Sequence, residues 1–138
     1  MRCPAITALQ ILPCADVDGI STPQHDGPDA RTARWTVFEL WNDGRSIEHD
    51  SYRTELAAVE VAQALAAECR AYVEPYPWVI AVCVADGWEV VPTDAGRADA
   101  EPRWRFRRSG NGDCPQQLAQ RSVFDAWRAC LSYACTHG

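Results

Sequence analysis

Residues 34–44 read RWTVFELWNDG, a strand pattern that runs directly into a turn signal. Trp35, Val37, Glu39 and Trp41 fall on one side, and Thr36, Phe38 and Leu40 on the other. A period of two is what a half-buried strand requires. Asn42-Asp43-Gly44 supplies the residue types that accept φ > 0 in a tight hairpin, so residues 45–50 are expected to return as a polar strand. A helix then reads from Thr54 to Tyr72. Thr54 can cap it, Glu55 suits the positive end of its dipole, and Ala58, Val61, Ala62, Leu65, Cys69 and Tyr72 form a stripe at helical spacing. Pro75 and Pro77 are expected to stop it.

The same order of elements recurs near the other end. Arg103-Trp104-Arg105-Phe106 opens a strand, Gly110-Asn111-Gly112-Asp113 makes a turn, and residues 116–120 read as a return. Ser122 then caps a second helix with Asp125 in the reciprocal position, a capping box in which the shorter Asp replaces Glu. Phe124, Trp127, Leu131 and Ala134 mark its core side. Residues 34–73 and 103–136 therefore read as two loosely repeated β-β-α units. Between them, Val79–Ala85 is a continuous apolar run expected to be a central strand, turned by Asp86-Gly87 into a partner at Trp88–Val91. Ala5–Leu12 reads as a short buried strand. Residues 14–33 read as a loop that is either mobile or functional, and residues 92–102 as a second loop.

These elements predict one α+β domain spanning residues 1–138, a mostly antiparallel sheet of hairpins with two helices on one face. Its core is expected to join Trp35, Val37, Leu65, Val82, Val84, Trp104, Phe106, Trp127 and Leu131. A length of 138 residues, 47% hydrophobic content and six Trp are enough for a substantial core. No run of about 18 apolar residues exists, so no membrane span is expected. Pro4, Gln10 and Pro13 break up the first segment as a signal peptide. A cytoplasmic chain is expected, and its seven Cys are then reduced thiols, several serving as small core residues.

No motif assigns an activity. There is no phosphate-binding glycine loop, nucleophile elbow or metalloprotease helix. Cys114, Cys130, Cys135 and His137 lack the paired spacing of a zinc site, so neither metal nor cofactor is expected. His49 beside Asp50 is the best-placed of three His for catalysis, but a lone surface His is far more often solvated, and the chain reads as non-enzymatic.

Charge is the stronger signal. All thirteen basic residues are Arg, and residues 1–78 hold twelve acids and six Arg, which is the entire net charge of −6. Asp43, Glu48, Asp50, Glu55, Glu60 and Glu68 gather on the first hairpin and helix, and an acidic face of this kind can steer a basic protein partner or imitate nucleic-acid phosphates. The leading expectation is a small interaction protein that binds and inhibits or modulates a protein partner. An anti-defence inhibitor from a bacteriophage or mobile element fits this type, as does a toxin-neutralising immunity protein. The alternative is a nucleic-acid-binding module using Arg103, Arg105 and Arg107, one face of the second unit's opening strand.

Overall fold

The computed structural model describes residues 3–93, 103–108, 120 and 122–137. The chain is α+β, as its patterns predict, and divides into two compact units, residues 1–74 and 75–138.

The first unit is organised around β1 (Ile6–Val17). Leu9, Ile11, Leu12, Cys14 and Ala15 are all buried, because apolar residues occupy both sides of the strand. β1 runs well past its expected end. Asp18 and Gly19 take φ of 53° and 79°, a two-residue hairpin turn, and the chain returns as β2 (Ile20–Pro23), with Val17 opposite Ile20. Part of the segment expected to be a loop is therefore a hairpin, signalled by an Asp-Gly pair. β3 (Thr32–Trp41) pairs antiparallel with β1 on its other side, and β4 (Ser46–Tyr52) pairs with β3. In the turn between them only Gly44 takes φ > 0, at 91°. Gly44 N–H donates to the Trp41 carbonyl, and Trp41 N–H to that of Arg45.

Helix α1 (Glu55–Cys69) follows, with Ala57 N–H donating to Thr54 Oγ1 at 3.2 Å as the cap predicts. Its buried side is Ala58, Val59, Ala62 and Ala66, so the stripe is turned toward smaller residues, and Val61 and Leu65 are only half-buried. Alanines let the helix approach the sheet closely. The helix stops before Pro75. Arg70 adopts φ 53°, ψ 39°, and its N–H donates to the Ala66 carbonyl. A left-handed residue with a Cβ is strained, and glycine relieves that strain. Arg70→Gly is expected to raise stability by roughly 0.5–1 kcal/mol in urea denaturation; a loss would show that the Arg side chain contributes more than its backbone costs. The short β5 (Tyr72–Val73) then pairs parallel with β1, and the antiparallel path across the sheet is β2-β1-β3-β4.

The second unit corrects one expectation outright. Val79–Ala85 is not a central strand but part of helix α2 (Pro77–Ala85). Pro77 stands at the first helical positions, where its fixed φ starts a helix and its missing N–H costs nothing. A short apolar run does not distinguish a buried strand from a helix by period alone. Only Val79 and Cys83 are buried in it, and Val82 and Val84, expected in the core, are more than half exposed. Gly87, at φ 87°, ends the turn after α2 and leads into β6 (Trp88–Thr93). The partner of β6 is β7 (Arg103–Arg108), in register from Trp88↔Arg108 to Thr93↔Arg103. Trp104 also exchanges both backbone hydrogen bonds with Gln120, so the return expected over 116–120 is in place at its last residue, and residues 116–119 lie outside the described ones.

Helix α3 (Val123–His137) starts as its capping pair predicts. Asp125 N–H donates to Ser122 Oγ at 3.1 Å, and the Ser122 hydroxyl donates back to Asp125 Oδ2 at 2.9 Å. Phe124, Ala126 and Cys130 are fully buried, whereas Trp127 and Leu131 are half-buried. The core of this unit is aromatic: Phe124 meets Tyr76 edge-on at 5.1 Å, and Trp88, Phe106 and Tyr133 lie mutually within 5.7 Å.

Candidate functional site

β4 is an edge of the first unit's sheet, and residues 46–50 along it are exposed. A β-bulge interrupts its pairing: Val37 faces Asp50 and Phe38 faces Glu48, which leaves His49 as the extra residue. A bulge and charged side chains both discourage strand addition at an edge. The bulge also aims His49 at Glu39. His49 Nδ1 lies 2.8 Å from Glu39 Oε2, and Trp41 Nε1–H donates to Glu39 Oε1 at 3.1 Å. Glu39 is thus engaged through both oxygens and largely buried, a role that its place among the twelve acids of residues 1–78 does not reveal. His49 and Glu39 form an oriented pair, but among the described residues no hydroxyl or thiol is hydrogen-bonded to the imidazole as a nucleophile would be.

The remaining acids separate by what holds them. Asp43 is neutralised within its own turn: Arg45 Nε lies 2.7 Å from Asp43 Oδ2, and Arg45 N–H donates to Oδ1. These hydrogen bonds hold the Asp43 carboxyl below the usual range. Arg31 and Arg34 are likewise paired, with Asp29 and Asp16. Glu48, Asp50, Glu55, Glu60 and Glu68 have no ion-pair partner among the described residues. Asp50 accepts from Ser51 N–H, and Ser51 Oγ donates weakly to Glu48 at 3.3 Å. Glu55 sits in the first turn of α1, and Glu60 and Glu68 are exposed. At about 100° per residue, Glu60 and Glu68 project roughly 80° apart on the side of α1 away from its alanine face.

Behind this surface, a polar chain crosses three strands. Ser51 Oγ lies 2.9 Å from Thr36 Oγ1, which lies 3.3 Å from Cys14 Sγ. Both Thr36 and Cys14 are buried, so each satisfies the other's polar atom and pins strand register.

In the second unit, β7 has the expected alternation, with Arg103, Arg105 and Arg107 on the face opposite Phe106. The face is not an open cationic row. Arg107 Nε lies 2.6 Å from Glu89 Oε1 across the hairpin, and all three Arg are half-buried. Arg108 pairs with Asp86 at 3.3 Å and stacks over Trp88 at 5.2 Å. The Cys83 thiol is pushed up by burial, partly offset by a hydrogen bond with Cys130, and the described cysteines are all free thiols. Cys135 is exposed on α3. Cys114 and the side chain of His137, the other members of the terminal Cys/His cluster, lie outside the described residues.

A second feature, unmarked by any sequence motif, is a cleft of about 380 Å³ beside β2. Its wall is the segment from Gln24 to Thr32, which its own side chains tie together. Gln24 Nε2 donates to Asp29 Oδ1 at 2.9 Å, Thr32 Oγ1 donates to Gln24 Oε1 at 2.6 Å, and Gln24 N–H donates to the Pro13 carbonyl. Asp29 also accepts from Arg31 N–H and Arg31 Nη2. These bonds, the Arg31 side chain first, lower the Asp29 pKa to about 2. Because the folded pKa is depressed, the stabilisation is present above the ordinary carboxylate range and is lost as pH falls through about 2. The Arg31 amide and the Gln24 side-chain amide are expected to titrate in NMR spectra with that midpoint. A midpoint near 4 would show that the loop is not tied by Asp29.

No protein-family model, curated protein or solved structure matches this chain. Among the described residues, no group of three His, Cys, Asp or Glu is placed to hold a metal ion, and no helix is long and apolar enough to cross a membrane.

Proposed function

We propose that this protein is a non-enzymatic interaction protein whose first unit presents a surface of uncompensated carboxylates to a partner with a basic surface. One observation carries the reading. Of the unit's described arginines, Arg31, Arg34 and Arg45 are paired with Asp29, Asp16 and Asp43, which leaves Arg53 and Arg70 against five carboxylates without an ion pair, Glu48, Asp50, Glu55, Glu60 and Glu68, on the edge strand and helix that follow one another in the chain. Such a surface raises the encounter rate with a cationic partner and disfavours acidic ones. It suits an inhibitor that occupies a nucleic-acid-binding site, and equally an immunity protein that covers a basic toxin.

The test is affinity capture from a lysate of the producing cell, with and without nuclease. A stoichiometric, basic protein partner retained after nuclease and released by salt is the expected outcome. Recovery of nucleic acid, with every protein lost after nuclease, would overturn it in favour of β7, whose Arg103 and Arg105 are the residues then to be replaced.

A further inference from the structure

We infer that the cleft beside β2 is a seat for a single arginine or lysine side chain, at the opposite edge of the sheet from the acidic β4 strand and independent of it. The inference rests on which groups in the cleft are already satisfied. Gln24 gives one amide N–H to Asp29 and accepts from Thr32 through its carbonyl oxygen. Asp29 and Arg31 neutralise each other at 3.0 Å. What remains is the Asp26 carboxylate, which has no hydrogen-bond partner among the described residues, with the His25 imidazole beside it. Asp26 is therefore the carboxylate of the cleft that has no cationic partner among the described residues, whereas Asp29 has Arg31.

Its floor is of a different kind. Ala15, Val17 and Pro23 line it, and Ala15 is buried while Val17 is exposed at the hairpin end. A carboxylate without a cationic partner beside aliphatic surface matches a side chain with an alkyl stem and a cationic head, which lays its methylenes on apolar surface and keeps its charge in water. A neutral apolar ligand would leave Asp26 desolvated and unpaired, and an anion would meet it directly. The wall is pre-ordered by the Gln24–Asp29–Thr32 bonds, so little ordering is required on binding. The occupant is an Arg or Lys side chain of a basic protein segment.

The experiment titrates the full chain with N-acetyl-arginine N-methylamide and, separately, with its uncharged citrulline counterpart, following backbone amides by NMR. Shifts for the arginine compound are expected at Val17, Thr22, Gln24, Asp26 and Gly27, saturating in the roughly millimolar range for so small a ligand. Asp26→Asn is expected to weaken them roughly fivefold, the upper range for an exposed ion pair, with the rest of the spectrum unchanged. Glu60→Arg with Glu68→Arg is expected to leave them intact, which separates this site from the acidic surface. Equal shifts with the citrulline compound, shifts confined to β4 and α1, or indifference to Asp26→Asn would each overturn the assignment.

Discussion

Replacing Phe124 by alanine is expected to destabilise the second unit by about 3–5 kcal/mol, among the largest effects of any single substitution in this protein. Phe124 is the largest fully buried side chain among the described residues. It sits in the first turn of α3, meets Tyr76 edge-on at 5.1 Å and 77°, and has the Arg128 guanidinium over its ring at 5.4 Å. Truncation removes the transfer energy of the ring, the aromatic pair and the cation contact together. It also leaves a cavity that neighbouring Ala126 and Cys130, both fully buried and small, are poorly able to refill. The check is urea denaturation with hydrogen exchange. The midpoint falls, and amides of α3, β6 and β7 lose protection. Phe124→Leu, which keeps most of the volume, is expected to cost less than half as much. A loss below about 1 kcal/mol for Phe124→Ala would mean that the aromatic cluster of Trp88, Phe106 and Tyr133 holds this unit without it.

What was legible in the sequence follows from where local chemistry decides structure. Thr54 and Ser122 cap their helices because a hydroxyl at that position satisfies an orphan N–H whatever the tertiary context. Trp35–Trp41 and Arg103–Arg108 both form strands as their period of two predicts, although in β3 the adjacent Thr36 and Val37 are both buried, so both of its faces are covered. Val79–Ala85 was not legible: with every side chain apolar, neither a two-fold nor a 3.6-fold period is visible, and the decisive residue is Pro77, outside the run. The Asp18-Gly19 turn was readable in principle, since that dipeptide favours φ > 0 at both positions, but its exposed strand β2 lacks the apolar alternation that would have marked it. Strand order and the two-unit division depend on long-range pairing, for which the sequence carries no local sign.

The candidate surface was legible as composition and illegible as geometry. Counting acids identifies Asp43, Glu48, Asp50, Glu55, Glu60 and Glu68 equally. Folding separates them, because Arg45 is delivered to Asp43 by a tight turn while the others acquire no cation. The Arg strand behaves conversely: three alternating Arg look like a binding row, and antiparallel pairing sets Glu89 directly opposite Arg107. The cleft lies wholly within residues 14–33, which the sequence marks as an unusual segment, but its shape was not readable there because its parts come from β1, the β2 edge and the chain that follows.

Simultaneous replacement of Glu48, Glu60 and Glu68 by arginine is expected to weaken the basic partner's affinity by roughly 10–100-fold at low ionic strength. Three exposed positions change by two charges each, and at about 0.25–0.5 kcal/mol per charge, the lower part of the range for exposed pairs, the combined loss is about 1.5–3 kcal/mol. The choice of positions is physical. Asp43 is already paired, Asp50 caps Ser51 N–H, and Glu55 lies in the first turn of α1, where a cation would oppose the helix dipole by about 0.3–1 kcal/mol and confuse stability with binding. Glu60 and Glu68 have no such duties, and Glu48 gives up only one weak bond from Ser51, so the fold should change by less than about 1 kcal/mol. The loss should fall mainly on the association rate and shrink as salt is raised, because screening removes what the carboxylates contribute. Asp43→Asn combined with Arg45→Gln, measured alongside, should alter binding little, since it removes a pair that is already neutral at 2.7 Å. A triple variant that binds with the wild-type rate and the wild-type salt slope would show that these carboxylates only solvate the protein. The partner would then have to be sought at the cleft or at β7.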